Sequence, residues 1–311
     1  MSKSNLQKAK VAKNDEFYTR MEDIAKELSN YKNHFKDKIV FCNCDDPEWS
    51  NFWIFFHQNF SEYGLKKLIA THYNADGSPS YVMEYSGGND LDPKDWHQKQ
   101  LQGNGDFSSD ECVELLKQAD IIATNPPFSI AREKFIPLLY KNNKKFVIVG
   151  DLNWVTYKHI FPLFKENKIW FGYNYLKHFL QPDGTTADFG NKLWLTNLDI
   201  PKRHENLLPK LTKEYKNHPE LYLKYDNYNA INIDKVKNIP YDYDGVMGVP
   251  ISFLDKYNPK EFVLLDHKEP AISISKRKQV DEKFKEIPSR QIKINGELCQ
   301  KTYHRFFIKK I

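Results

Sequence analysis

Over its first 200 residues the chain alternates short apolar runs with stretches of helical periodicity, and that alternation leaves few ways to fold. Residues 39–44, 68–72, 81–85, 120–124, 145–150, 168–172 and 192–198 read as seven strands. Between them lie helices with recognisable starts. Asp46 stands at an N-cap position, with Pro47 as first helical residue and Glu48 in the first turn; Trp49, Phe52, Trp53, Phe56 and Phe60 follow at helical spacing. Ser108-Ser109-Asp110-Glu111 is a capping-box pattern opening a helix through Gln118. Further helices fall over residues 21–32, 131–140 and 155–166. The pattern predicts an α/β fold, a mostly parallel seven-stranded sheet with helices on both faces. Ligands on such a sheet sit beyond the carboxyl ends of the strands, which is where Asp45, Asp106 and Asn125 fall.

After residue 200 the periodicity weakens, and residues 201–240 are polar and rich in Tyr, Asn and Lys. This divides the chain into residues 1–200 and a shorter region, 201–311, of irregular elements. With 40% hydrophobic residues the chain is not a disordered one. It has no apolar run near 20 residues, and its start is polar and lysine-bearing, which argues against a membrane span or signal peptide and for a cytoplasmic protein. The four cysteines, Cys42, Cys44, Cys112 and Cys299, form no CxxC pair and read as reduced residues rather than zinc ligands. Asp45, Asp46 and Glu48 form an acidic cluster, but a cap and a first-turn residue account for two of them, so no metal is expected. The net charge of +5 is unevenly spread: residues 276–311 carry 11 Lys/Arg against 4 Asp/Glu, a net of +7, leaving −2 for the rest. A basic end on a near-neutral body is what contacts to a phosphate backbone require.

Asn125-Pro126-Pro127-Phe128 closes the strand over residues 120–124 and carries the chemistry. It has no charge and no nucleophile. It offers acceptors, the Asn125 side-chain oxygen and the Pro126 carbonyl, on a loop that two prolines stiffen. With the flat face of Phe128 beside them, these suit the amino group of a planar heterocycle. No GxxxxGK[ST], HExxH, GxSxG or GxGxxG occurs, so phosphate-loop, metalloprotease, hydrolase and dinucleotide readings lack support.

The tetrapeptide matches the (D/N/S)PP(Y/F) motif of enzymes that methylate exocyclic amines. Most of the chain, from about residue 10 onward, resembles the EcoRI-type adenine-specific DNA methyltransferase family. The residues carrying this are Asn14-Asp15-Glu16-Phe17-Tyr18-Thr19, Cys42-Asn43-Cys44-Asp45-Asp46-Pro47, Gly105-Asp106-Phe107, Gln118-Ala119-Asp120 and Tyr243-Asp244-Gly245-Val246-Met247-Gly248-Val249-Pro250. The resemblance implies a Rossmann-like methyltransferase fold, with residues 1–200 binding S-adenosylmethionine and 201–311 recognising the DNA target. It implies that Asn125, Pro126, Pro127 and Phe128 act on adenine N6 in a flipped-out base. Phe17, Tyr18 and Thr19 would hold the methionine end of the cofactor. Cys44, Asp45 and Asp46 stand in place of a glycine-rich cofactor loop, and Asp106 and Phe107 where the cofactor's adenine is met. Tyr73 and Glu84 are the candidates for its ribose. Lys276, Arg277, Lys278, Arg290 and Arg305 would contact double-stranded DNA. The expected protein is a monomer, the modification member of a restriction–modification system with a cognate endonuclease, or a solitary relative. The same motif also serves methylation of RNA or of a protein amide nitrogen, and a non-catalytic DNA-binding relative is a third alternative.

Overall fold

The computed structural model describes residues 18–181, 185–225, 229–265, 292–294, 297–299 and 305–311. They group into two compact units. The first runs to Asp151 and resumes over Phe171–Ile200; the second takes Leu152–Trp170 and the described chain from Pro201.

The first unit is built on a nine-stranded sheet of β1 (Tyr18–Thr19), β2 (Ile39–Cys42), β3 (Lys67–Thr71), β4 (Tyr81–Tyr85), β5 (His97–Gln100), β6 (Ile121–Thr124), β7 (Lys145–Asp151), β8 (Trp170–Leu180) and β9 (Thr186–Thr196). Their order is β1-β8-β9-β7-β6-β2-β3-β4-β5. Parallel pairing is confined to β7, β6, β2 and β3. The remaining pairs whose register is defined, β3 with β4, β4 with β5, β7 with β9 and β1 with β8, are antiparallel. The expectation of a mostly parallel, seven-stranded sheet is therefore corrected to a mixed sheet of nine. The physical reason is chain length. A parallel crossover needs a dozen or more residues, and the turn-rich link from Thr71 to Tyr81 is too short for one. The two added strands leave almost no apolar signal: β5 is His97-Gln98-Lys99-Gln100, fully exposed, and β1 is two residues long.

The parallel centre is buried on both faces, so its strands are continuous apolar runs; all four residues of β6 are buried. Helix α1 (Met21–Leu28), α2 (Asn51–Gln58), α3 (Asp110–Gln118) and α4 (Ile136–Lys141) lie in the same unit. Helix α2 buries Phe52, Trp53, Phe55, Phe56 and His57. It starts at Ser50, whose hydroxyl accepts from the Phe52 N–H, not at Asp46 as the sequence predicts. The capping box predicts Ser108 as the cap of α3, but the cap is one residue later: Ser109 accepts from the Cys112 N–H. Glu111 instead reaches back to accept from the N–H groups of Gln102 and Gly103, tying down the loop before the helix. Between β6 and α4, residues Ala131–Phe135 form a π-helical turn where a plain α-helix was expected; such turns concentrate at functional sites.

In the second unit β10 (Ala230–Asn232), β11 (Val246–Pro250), β12 (Phe262–Leu264) and β15 (Arg305–Lys310) form a sheet of order β10-β11-β15-β12, and β13 (Ile292–Ile294) pairs with β14 (Glu297–Cys299). The helix expected over residues 155–166 is a short α5 (Phe161–Lys165), with Pro162 in its first turn, after a 3-10 segment at Leu152–Thr156. No helix among the described residues is long and apolar enough to cross a membrane.

One buried acid anchors the first unit's far edge. Glu27 of α1 is 0% exposed. It accepts from the Tyr31 hydroxyl (2.8 Å), the N–H groups of Tyr173 (2.8 Å) and Asn174 (2.9 Å), and the Asn174 amide (2.7 Å). Burial pushes its pKa up, with the four donors opposing. Gly172 leaves room for it, because a Cβ there would strike Glu27 Oε1. Replacing Glu27 with Ala strands three kinds of donor, so Glu27→Ala is expected to lower unfolding free energy by about 2–4 kcal/mol, read from urea midpoints. Gly172→Ala should destabilise through the same contact.

Candidate active site

The carboxyl ends of β2 and β6 are neighbours, and a cavity of about 380 Å³ opens there. Strand β2 is followed by Asn43, Cys44, Asp45 and Asp46, strand β6 by Asn125, Pro126, Pro127 and Phe128, and all eight line the cavity. Tyr18, Asp106 and Phe107 line it as well. Sequence positions spread over more than a hundred residues are thus brought to one place.

Asp45 holds the two loops together. Its carboxylate is 7% exposed. Oδ1 accepts from the Ser50 hydroxyl (2.7 Å), while Oδ2 accepts from the Thr124 hydroxyl and from the Asn125 N–H (2.9 Å). Thr124 Oγ1 accepts in turn from the Cys44 N–H (3.1 Å). Three of the carboxylate's hydrogen-bonding positions are therefore spent on protein donors that fix the start of the Asn-Pro-Pro-Phe loop and the start of α2. Burial raises the Asp45 pKa to about 6, the hydrogen bonds from Thr124, Ser50 and Asn125 acting against it. Its neighbour Asp46 is turned the other way. Oδ1 accepts from the Glu48 N–H (2.9 Å), and Oδ2 meets His72 Nδ1 at 2.5 Å. His72 Nε2 faces Asn74 Oδ1 at 3.0 Å, and the imidazole stacks on Tyr81 with centroids 4.9 Å apart. Asp46 does cap as predicted, Oδ1 taking the Glu48 N–H and its carbonyl the Ser50 N–H (2.8 Å), but the single turn it opens ends at Ser50, where α2 starts afresh.

Asp106 is carried by a turn pinned to the end of β3. Gly105 has φ of +80° and lies so close to the His72 carbonyl that a Cβ would collide with it, so only glycine fits. Asp106 Oδ1 accepts from the Ser108 N–H (2.7 Å) and hydroxyl (2.5 Å), which leaves Oδ2 over. Phe107 is buried edge-on against Phe135, 5.2 Å between centroids, in the π-helical turn.

Phe128 sits in an aromatic cage. Phe179 and Phe189 meet it edge-on at 5.9 and 6.2 Å, and Lys192 Nζ lies 4.0 Å above its ring centroid. The Lys192 ammonium is itself buried and paired with Asp151 Oδ2 at 2.7 Å. A cation over a ring face, away from water, contributes about 2 kcal/mol. Lys192 comes from β9, and nothing in the local sequence marks it.

Several expected site residues fall elsewhere. Thr19 is buried in β1, its carbonyl accepting from the Asn51 amide at 2.8 Å, and does not line the cavity. Of the two ribose candidates, Tyr73 lines the cavity, whereas Glu84 lies in β4 between Lys67 and Lys99, each at 2.6 Å. Arg305, expected to meet DNA, is 7% exposed; its Nε lies 3.5 Å from Asn232 Oδ1, and burial lowers its pKa. A guanidinium so placed holds the second unit's sheet instead of facing a polymer. Phe17, Lys276, Arg277, Lys278 and Arg290 lie outside the described residues. Cys44 lines the cavity, and burial pushes its thiol well upward in pKa, which works against a thiolate there.

The cavity fits a nucleoside-sized cofactor. Its volume lies in the range of small-molecule sites, about 300–1,000 Å³. Asn43, 2% exposed, buries a side-chain amide whose Oδ1 and Nδ2 both lack a protein partner, the condition of a polar group awaiting a ligand. A doubly wound parallel centre with such a cavity at its switch point, walled by a stiff Asn-Pro-Pro-Phe loop, is the arrangement of an amine methyltransferase. The chain belongs to the family described as "Adenine-specific methyltransferase EcoRI", which matches residues 5–311. It is 45% identical to the Type II methyltransferase M.EcoRI of Escherichia coli, over 98% of this chain and 95% of that protein. It is 42% identical to the Type II methyltransferase M.MgeORF184P of Mycoplasma genitalium and 41% identical to M.MpnI of Mycoplasma pneumoniae, each over 83% of this chain and 84% of the relative. No solved structure matches.

Asp45 makes the site pH-dependent in a way whose sign can be worked out. Its folded pKa of about 6 lies above the ordinary 3.8, so the native chain keeps a proton that the unfolded chain releases between those values. Its contribution to stability is therefore full below the window and lost as pH rises through about 6. The ionised form alone can accept from all three donors, so methyl transfer should rise with pH through about 6. Asp45→Asn, which puts an amide N–H among donors, is expected to cut transfer about 10- to 100-fold and to flatten that rise. Initial rates across the window, wild type against variant, check it.

Proposed function

We propose that this protein transfers the methyl group of S-adenosylmethionine to N6 of a flipped-out adenine in duplex DNA, at a specific site, as the modification enzyme of a restriction–modification system. The observation that carries the reading is Asn125, held by its N–H at the end of β6 and facing the cavity beside Asp106 and Phe107. S-adenosylmethionine, when bound, supplies a methyl group activated by its sulfonium. The protein's part is orientation. An adenine amino nitrogen is a poor nucleophile because its lone pair is drawn into the ring. Asn125 Oδ1 and the Pro126 carbonyl accept its two N–H bonds, favouring a nitrogen whose lone pair stands out of the ring plane. The prolines and the Asp45 clamp fix those acceptors before the base arrives. Phe128, locked by Lys192 and two phenylalanines, gives the base a rigid apolar wall on its cavity side. A base inside a duplex cannot reach such a site, so it is extruded.

Asp106 Oδ2 accepts from the cofactor's adenine amino group, Phe107 packs on its ring, and Tyr18 and the Cys44–Asp46 loop close the pocket around the rest. Residues 1–200 carry this catalytic part, and 201–311 read the DNA target, their basic C-terminal portion, with Lys276, Arg277, Lys278 and Arg290, on phosphates. The enzyme works as a cytoplasmic monomer, with a cognate endonuclease cutting the unmodified sites.

Tritiated methyl transfer to unmethylated duplex DNA, followed by nucleoside analysis, should yield N6-methyladenine. A different modified base, or label only on RNA or protein, would contradict the reading. Asn125→Ala should lower transfer at least about 10²- to 10³-fold while cofactor affinity stays within a few-fold. A fully active Asn125→Ala variant would remove the proposed role.

A further inference from the structure

His72 has no task in the chemistry above and does not itself line the cavity, yet it ties together stretches of chain that do. It follows β3 directly, and its two ring nitrogens face two acceptors. Nδ1 meets Asp46 Oδ2 at 2.5 Å, and Nε2 meets Asn74 Oδ1 at 3.0 Å. The other end of the Asn74 amide fixes which atom that is, since Nδ2 donates to the carbonyls of Pro79 (2.8 Å) and Ser78 (3.4 Å). An amide oxygen only accepts, so Nε2 carries a proton. A bare Nδ1 would set a lone pair against a carboxylate, so a proton lies in that contact too. Burial raises the Asp46 pKa, but the Glu48 N–H and the His72 charge act against it and favour the ionised carboxylate. The ring also lies flat on Tyr81, planes 3° apart, a face that favours a cation. We infer that His72 is a positioning residue: as an imidazolium it clamps the loop after β2 to the turn bearing Asp106. This rests on the methyltransferase reading and goes beyond it by assigning a residue outside the cavity to holding one of its walls.

Beyond Asn74 the connection runs on to Asp106. The Asn74 N–H donates to the Asn104 carbonyl (2.8 Å), and Asn104 Nδ2 returns a bond to the Asn74 carbonyl (3.2 Å). Asn104 Oδ1 then accepts from the Asp106 N–H (3.2 Å). The carbonyl of His72 takes the Ser80 hydroxyl (2.5 Å) and is the group against which Gly105 packs. Side chain and carbonyl of one residue thus hold Asp46 on one flank and Asp106 on the other. The transfer side of the cavity is held separately. Asp45 anchors Asn125 through partners that do not include His72. The two clamps divide the work: Asp45 keeps Asn125 placed for transfer, and His72 keeps the adenine-side wall placed for binding. Loss of the His72 clamp therefore weakens cofactor binding and spares the rate once the cofactor is bound.

Imidazole proton–nitrogen NMR of the ligand-free protein, S-adenosylhomocysteine titration and steady-state kinetics test this on wild type, His72→Gln, Asp46→Asn and the double variant. Both His72 nitrogens should carry protons in wild type. Each single variant should bind S-adenosylhomocysteine about 10- to 100-fold more weakly. The double variant should lose little more than either, because both changes remove the same pair. His72→Gln should raise KM for S-adenosylmethionine by a like factor, while kcat at saturating cofactor stays within about threefold. A bare His72 nitrogen, additive losses, no loss, or a kcat that falls as far as kcat/KM would overturn the assignment while wild-type binding kept the cofactor reading intact. Wild type that binds no S-adenosylhomocysteine would bring down the cofactor reading and the clamp's part in it together.

Discussion

A single buried carboxylate joins the parts of the site. Asp45 sits in the loop that follows β2, and its oxygens take the Ser50 hydroxyl, the Thr124 hydroxyl and the Asn125 N–H. Keeping a carboxylate there costs enough that its pKa rises to about 6. What that desolvation maintains is a fixed distance between the loop after β2 and the loop after β6. In the proposed transfer, the acceptors on Asn125 and Pro126 hold an amine in register with a methyl donor only if those loops stay together. Orientation of this kind is the main thing an enzyme can contribute to a direct transfer with no covalent intermediate.

The same economy runs through the rest of the cavity wall. Prolines restrict the loop backbone, Phe128 is wedged by Phe179, Phe189 and the Lys192–Asp151 pair, and Gly105 permits the turn bearing Asp106 to press on the His72 carbonyl. Each fixes a group before a ligand arrives, so the ordering entropy is met by folding and not by binding. Asn43 differs from these groups: it is buried, and no protein group meets its amide.

Much of the fold was legible because the central strands are buried on both faces and so appear as unbroken apolar runs. Strand β5 was not, since His97-Gln98-Lys99-Gln100 at the sheet's edge has no face to bury, and the two residues of β1 are a strand only through pairing with β8. The antiparallel turn at β4 was written in the shortness of its link to β3. Asp46 was legible as a cap, and its Oδ1 does accept from the Glu48 N–H; the break of that first turn before Ser50 and the His72 contact on Oδ2, from a residue distant in sequence, were not. The tetrapeptide at 125–128 and the pair at 106–107 were legible as motifs. Lys192 and the unmet amide of Asn43 were not, because their meaning lies in what surrounds them in space.

A crystal structure of the protein with S-adenosylhomocysteine bears most directly on the central claim, that the loops after β2 and β6 form one cofactor and transfer site. The ligand should lie in the cavity lined by Asn43, Asp106 and Asn125, its adenine against Phe107 and its sulfur turned toward Asn125. A ligand bound elsewhere, or in the cavity with its sulfur turned away from Asn125, would contradict it.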